Sequence, residues 1–511
     1  MKTTMIISLI AISIGATGLT SCNKKLDLVP VSTISDASYW KTPDQFDAFV
    51  TGLHTRFRDH AQGFMYLGEL RGDIFGNDAG TSASFTGEAS QGLERMWLHN
   101  LDLDNPGVSN YGDFYSNINQ LNLLISKLNS TNVVTEATKQ YYLGIAHGMR
   151  AFYYFQLYRS WGKAILQTEA IADIDVANLA KEASPANEVL DLVRQDIETS
   201  ISHFVSDYSI RSNKAFWSKS ASLMLKAEVF LWTAHREGGA ADAEVAKQAL
   251  LEVQSNLSLN LLTSYREVFD AANKGNAEMI FVIRHQLNEA TLGFIGNFVP
   301  QTGLIANFYD SLENRQFSVT ADNYGGILRA PTKIQTYRKF EEDDTRKNTS
   351  IQAAYEKDNE GKYRMAGCFL RKFQGEQNAG MRAYTNDYPI YRYADLLLLL
   401  AEAKAILGEN PADEINQVRQ RAYGSNYQAA VHGYPNQLVD TNPAEAILQE
   451  RFFEFVGEGK RWYDLRRFGD AFVYKYTGLP ASDAYKLYWP IDRNTLTNNR
   501  SLAQTDGYSQ F

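Results

Sequence analysis

Apolar residues at helical spacing mark most of this chain. Thr42-Pro43-Asp44-Gln45 is a helix start, a capping box with proline at the first helical position. Phe46, Phe49, Val50, Leu53 and Phe57 follow on one buried face. From Gly72 to Tyr111 the periodicity vanishes, and Gly76, Gly80, Gly87 and Gly92 punctuate a stretch rich in Ser, Thr, Asn and Asp. Long irregular segments of this kind in compact proteins usually carry function. Helices then return in pairs. Phe114, Ile118, Leu121, Ile125 and Leu128 form one stripe; Tyr141, Ile145, Met149 and Phe152 form the next, with Gly144, Gly148 and Ala151 allowing a close crossing. A second pair starts at Ser184-Pro185, with its partner at about 216–236. A third begins at Tyr391, and Asn410-Pro411 opens its mate.

Between residues 257 and 388 the helical signal thins, and only short strands such as Met279 to Arg284 are expected. The predicted fold is mainly α: a tetratricopeptide-like scaffold of helix pairs at about 39–256 and 389–470, with an irregular, loop-rich subdomain at about 257–388. Residues 22–511 are expected to form a single unit.

The first twenty-two residues change the picture. Lys2 precedes an apolar stretch, Met5 to Leu19, which is too short to span a bilayer and reads as a secretory signal over residues 1–21. Leu19-Thr20-Ser21-Cys22 looks like a bacterial lipobox, so Cys22 is the expected lipidation site. No second apolar run approaches eighteen residues, so a lipid is the expected anchor.

Composition narrows the function. The 50 basic residues against 59 acidic ones, a net charge of -9, argue against nucleic-acid binding. Two cysteines, Cys22 and Cys368, make neither a disulfide scaffold nor a cysteine-based zinc site. The chain carries no phosphate-binding loop, no dinucleotide fingerprint, no His-Glu-x-x-His and no Gly-x-Ser-x-Gly elbow. Asp102-Leu103-Asp104-Asn105 faintly resembles a calcium loop, but Pro106 takes a ligand position and a solvated turn is the better reading. No catalytic residue, cofactor or metal is expected.

The C-terminal third carries a resemblance. Arg392-Tyr393-Ala394-Asp395 leading to Ala401-Glu402-Ala403 resembles a helix of the SusD/RagB family of nutrient-binding lipoproteins. Ile415 to Ala422, Glu450-Arg451 and Glu458-Gly459-Lys460-Arg461-Trp462-Tyr463-Asp464-Leu465-Arg466-Arg467 are similar to its next motifs. Leu487 to Ile491 and Leu502 to Tyr508 continue the pattern; upstream, Leu26-Asp27, Pro30 and Asp344-Thr345-Arg346 also fit it. On a helix Arg461, Asp464 and Arg467 are expected to pair, with Trp462 and Leu465 inward.

The resemblance implies a SusD-like fold and no enzyme activity. It implies an outer-membrane, lipid-anchored protein facing the cell exterior, which captures an oligosaccharide and delivers it to a SusC-like TonB-dependent transporter. A RagB-like peptide-binding subunit is one alternative; a lipid-anchored glycoside hydrolase is another. The outward orientation rests on the resemblance alone, because Asn23-Lys24-Lys25 follows the lipid cysteine where related export signals are acidic.

Sugar capture needs flat aromatic faces and fixed hydrogen-bonding groups. The glycine-rich loop offers Asp73, Asn77, Asp78, Phe85 and Trp97, a region on which family sites draw. Tyr324, among Asp322, Asn323, Gly325 and Gly326, is a second candidate, with Arg329 close behind. Trp217 and Trp232 are expected in the core, and Trp40 beside the first helix.

Overall fold

The computed structural model describes residues 39–86, 92–171 and 180–510; the lipobox and Cys22 lie outside the described residues. Helix α1 (Pro43–Asp59) starts at the expected capping box and buries Phe46, Val50, Leu53 and Phe57. Trp40 packs on Phe46 and Phe49, with ring centroids 4.9 and 4.7 Å away. After α2 (Ala61–Glu69) and the loop region come α3 (Asn110–Ser130), α4 (Glu136–Trp161), α5 (Ala186–Phe204) and α6 (Lys219–Thr233). Each of these helices packs on the next, as the paired stripes predict.

The α4–α5 crossing is as close as the glycines allow. Ser200 Oγ donates to the Gly144 carbonyl at 2.6 Å, and a side chain at Gly144 would come within 2.8 Å of the Phe204 ring. One at Gly148 would meet the Trp217 indole at 2.1 Å. Trp217 and Trp232 are core residues, as expected. A widened π turn, Ala234–Gly238, then leads into α7 (Gly239–Asn256), a further helix packed on α6. Its buried face is mostly alanine (Ala243, Ala246, Ala249), too weak a stripe to stand out from the sequence.

The middle of the chain holds the strands. β1 (Met279–Ile283) pairs antiparallel with β8 (Tyr388–Arg392), so this ribbon closes the base of everything between them. Inside it, β2 (Tyr309–Asp310), β3 (Arg315–Gln316), β4 (Ile351–Lys357) and β5 (Tyr363–Leu370) form a sheet in the order β3-β2-β4-β5. A small hairpin joins β6 (Glu376–Asn378) to β7 (Met381–Ala383).

β8 runs directly into α8 (Tyr393–Ile406), which packs on α7, on α9 (Ala412–Tyr423) and on α10 (Pro443–Glu454). Helices α11 (Arg461–Phe468) and α12 (Asp470–Thr477) follow. On α11, Trp462 and Leu465 are fully buried and Arg467 pairs with Asp464 at 2.9 Å, as expected. Arg461 departs from that expectation: it leaves its own helix and pairs with Asp73.

The signature residues converge on a buried ion network. Arg346 binds Asp344 at 2.8 Å and Glu450 at 2.6 Å. Arg392 binds Glu278, Glu454 and Glu458 at 2.7, 2.6 and 2.8 Å. Arg421 closes the set onto Glu278 and Glu454. These groups come from the approach to β1, the turn before β4, β8, α9, α10 and the loop after it, so the network ties the strand region to the helical frame.

Candidate functional site

The glycine-rich loop leaves α2 and docks on the segment that precedes the short helix Ile334–Lys339. Gly76 N–H donates to the Pro331 carbonyl at 2.8 Å, and Phe75 bridges Thr332 in antiparallel sense. Phe75 is anchored below by Phe298, 5.0 Å away. Asn77 therefore runs beside the segment that carries Arg329.

Trp97, at the end of the one-turn helix Glu94–Trp97, lies against this loop. A side chain at Gly76 would come within 2.9 Å of the five-membered ring of the indole. Gly76 also holds φ +127°, which L side chains rarely adopt, so glycine is required twice over. The Trp97 ring is half-buried against the core, and its indole N–H has no partner among the described residues. Asn77 is exposed, and its side-chain amide is equally unengaged among the described residues. A ring with one supported face near an unengaged amide suits a ligand with C–H faces and hydroxyls.

The other expected residues serve the scaffold. Asp73 is buried and grips Arg461 through both oxygens, Nε at 2.6 Å and Nη2 at 3.2 Å. Burial alone would push its carboxyl up; Arg461 and Lys339 outweigh that and hold it below the usual range. Asp78 accepts the backbone N–H groups of Ile334 and Gln335 at 3.0 and 2.8 Å, capping the helix that follows. Phe85 is fully buried, edge-on to Phe308 at 5.2 Å, in space left by Gly367. Tyr324 is buried against Phe369, with the Arg382 guanidinium 5.1 Å from its ring centroid, and burial pushes its hydroxyl pKa up to about 12. As ligand-facing groups, Asp73, Phe85 and Tyr324 are thus corrected: each is consumed by a partner distant in sequence. Trp97 and Asn77 flank Gly76 at the surface, and Arg329 lies two residues before Pro331, the loop's backbone partner.

Two residues that the sequence did not single out adjoin them. The Asn297 amide donates to the Tyr66 hydroxyl at 2.7 Å, and Ala330 N–H donates to the Asn297 carbonyl at 2.8 Å. The Gly293-Phe294-Ile295-Gly296-Asn297 run, alternating glycine with aromatic and amide groups, was the available signal.

One group among the described residues has the composition of a metal site: Glu341, Asp343 and His432. The hydrogen bonds oppose that use. His432 Nδ1 accepts the Gln428 N–H at 3.0 Å, so the neutral ring carries its proton on Nε2, the atom facing Asp343 and Glu341 at 3.5 and 3.7 Å. A cation on Nε2 would strip the ring of both protons, whereas ligating histidines keep a donor on the other nitrogen. The Asp102 turn also satisfies itself: its carboxylate accepts N–H groups of Asp104 and Asn105 at 2.9 and 2.8 Å.

The described residues thus form a helix-pair frame presenting irregular loops, with the Trp97 ring laid against Gly76 in one of them. Residues 304–508 match the model described as the SusD family, and residues 44–231 match that described as "Starch-binding associating with outer membrane". The chain superimposes on a SusD superfamily protein from Bacteroides vulgatus with TM-score 0.85 at 40% identity, covering 92% of this chain and 100% of that one. NanU of B. fragilis matches with TM-score 0.86 at 42% identity, covering 94% and 100%. The starch-binding protein SusD of Bacteroides thetaiotaomicron is 24% identical over 97% of each chain. The chain belongs to the SusD family.

Proposed function

We propose that this protein is a lipid-anchored, non-catalytic glycan receptor of the outer membrane, which hands oligosaccharide to a SusC-like TonB-dependent transporter. The observation that carries the binding reading is the Trp97 indole laid across Gly76 beside Asn77 and the Arg329 segment. The family description, with its starch binding and outer-membrane association, and the starch-binding relative both support it. Among the described residues no helix is long and apolar enough to cross a membrane, which suits an anchor at Cys22. The carboxylates of the signature, Glu450 and Glu458, are ion-paired in the interior, which supports the non-catalytic reading.

Trp97→Ala is expected to weaken oligosaccharide binding by about 1–3 kcal/mol, the worth of one stacked aromatic. Because the ring is half-buried, stability should fall by only about 1–2 kcal/mol, less than a fully buried tryptophan would lose. Calorimetric titration with oligosaccharides released from starch and other neutral polysaccharides, alongside thermal melting, reads both. Unchanged affinity for every ligand bound would exclude Trp97 from the site.

Anchoring has its own test. Cys22→Ala should abolish incorporation of a fatty-acid analogue and leave the precursor uncleaved. Continued labelling of that variant would refute the lipidation site.

A further inference from the structure

A second cleft, of about 770 Å³, lies where the C-terminal tail crosses the end of α4, and it shares no lining residue with the Trp97 ledge. Its size falls within the roughly 300–1,000 Å³ typical of ligand pockets. Its walls are stitched in place. Trp489 N–H donates to the Ser160 carbonyl at 2.8 Å, and Trp161 Nε1 donates to the Pro490 carbonyl at 3.1 Å. The Gln504 side chain accepts from and donates to the backbone of Ile491 at 2.7 and 2.8 Å, and Thr505 Oγ1 donates to the Trp489 carbonyl at 2.8 Å. The tail is thus a fixed wall, and the cleft is preformed.

Tyr485 and Tyr488 line the space. Gly162, at φ +80°, ends α4 so closely under Tyr488 that a side chain there would meet its ring at 3.1 Å. Tyr485 stands at the rim, 37% exposed, braced edge-on by Tyr508 at 5.0 Å. Glu182, Tyr485, Tyr488 and Ser501 line the cleft, and neither tyrosine hydroxyl, nor Ser501 Oγ, nor the Glu182 carboxylate makes a hydrogen bond to any described residue. The lysine among the described lining residues, Lys163, is already paired with Asp506 at 2.9 Å.

We propose that this cleft is a second saccharide-binding site, for a neutral sugar unit. The Tyr485 ring accepts a C–H patch, Tyr488 closes the wall with the Arg466 guanidinium 4.6 Å from its ring centroid, and unengaged hydroxyls and a carboxylate accept sugar hydroxyls. An acidic sugar would face Glu182 and Asp506, and Lys163, the cation among the described lining residues, is already paired with Asp506. Together with the Trp97 ledge, the cleft would hold one polysaccharide at two points, which raises avidity without strengthening either contact. The proposal rests on the reading of the ligand as a glycan, not on the placement of the first site.

The mature chain is screened on an array of neutral gluco-, xylo-, manno- and galacto-oligosaccharides with oligogalacturonates as the acidic control. The strongest neutral binder is then titrated into wild type, Ala503→Trp, Tyr485→Ala and Trp97→Ala. Ala503→Trp plugs the cleft and Tyr485→Ala removes its outer ring, and each should remove one class of binding site or weaken affinity roughly tenfold or more. The proposal is overturned if both variants bind as wild type does, if only the acidic sugars bind, or if nothing on the array binds. Should Ala503→Trp fail to fold, Tyr485→Ala carries the test alone, with thermal melting confirming that the variant is folded, since its ring stands at the rim. Loss in the cleft variants with unchanged Trp97→Ala binding would remove the first site and keep this one; the reverse would do the opposite.

Discussion

Glu454→Ala is expected to cost at least about 3–5 kcal/mol of folding stability, the range for removing one partner of a buried ion pair. Glu454 is completely buried and serves Arg346, Arg392 and Arg421 at once. Its removal takes a carboxylate from three guanidinium groups that water cannot reach; Arg421 is left with Glu278, which it shares with Arg392, and the buried cluster gains an uncompensated positive charge. The reverse design, replacing the whole cluster with apolar residues, carries no such penalty, because the loss comes from uncompensated charge rather than from the worth of each contact. Urea unfolding of the variant checks the figure, and a change below 1 kcal/mol would contradict the network.

The same residue predicts an acid response. Burial would raise the Glu454 carboxyl, but Arg421, Arg392 and Arg346 outweigh it and hold it far below its usual 4.5. Glu402, buried beside Arg467 and His235, is likewise held down, to about 2. A group depressed in the folded state contributes stability that is fully present above its unfolded pKa and lost as pH falls towards the folded one. Wild-type stability should therefore decline from about pH 4.5 towards pH 2, and Glu454→Ala should show a shallower slope. Urea midpoints taken across that interval decide it; parallel slopes would be the contrary result.

The second large effect is Asp73→Ala. This carboxylate was expected in the ligand site, and the structure puts it under the loop, bidentate to Arg461. Without it Arg461 keeps one carbonyl partner, Leu448, at 3.0 Å. The expected loss is about 3–5 kcal/mol of stability. Asn77→Ala is the contrast. Its amide bonds nothing among the described residues, so stability should stay within about 0.5 kcal/mol while oligosaccharide affinity falls. Melting temperature and affinity measured on both variants separate scaffold from site. A stable Asp73→Ala with impaired binding would return Asp73 to the ligand surface.

Elements defined by near neighbours were legible in the sequence. The capping box before Phe46, the paired stripes, the close-crossing glycines of α4 and the short strand at Met279 all depend on residues a few positions apart. The signature from Glu458 to Arg467 marked the family because its order survives in one dimension. Helix α7 escaped, since an alanine face gives little contrast against its polar side.

The division between sequence and tertiary structure is sharpest in the loop from Asp73 to Trp97. By itself the sequence determined that this stretch is irregular, rich in glycine, and supplied with both aromatic and polar groups. Which of those groups face solvent depended on partners brought in from far along the chain. Asp73 meets Arg461, 388 positions away, and Asp78 meets Ile334 across 256. Phe85 finds its pocket among residues of the strand region. Composition cannot reveal such pairings, because a carboxylate or a ring looks alike whether its partner is water, a sugar or a buried arginine. The cleft at the tail is the same lesson in reverse. Leu487 to Ile491 and Leu502 to Tyr508 read only as family motifs, and the hollow between them and α4 exists only once the chain has closed on itself.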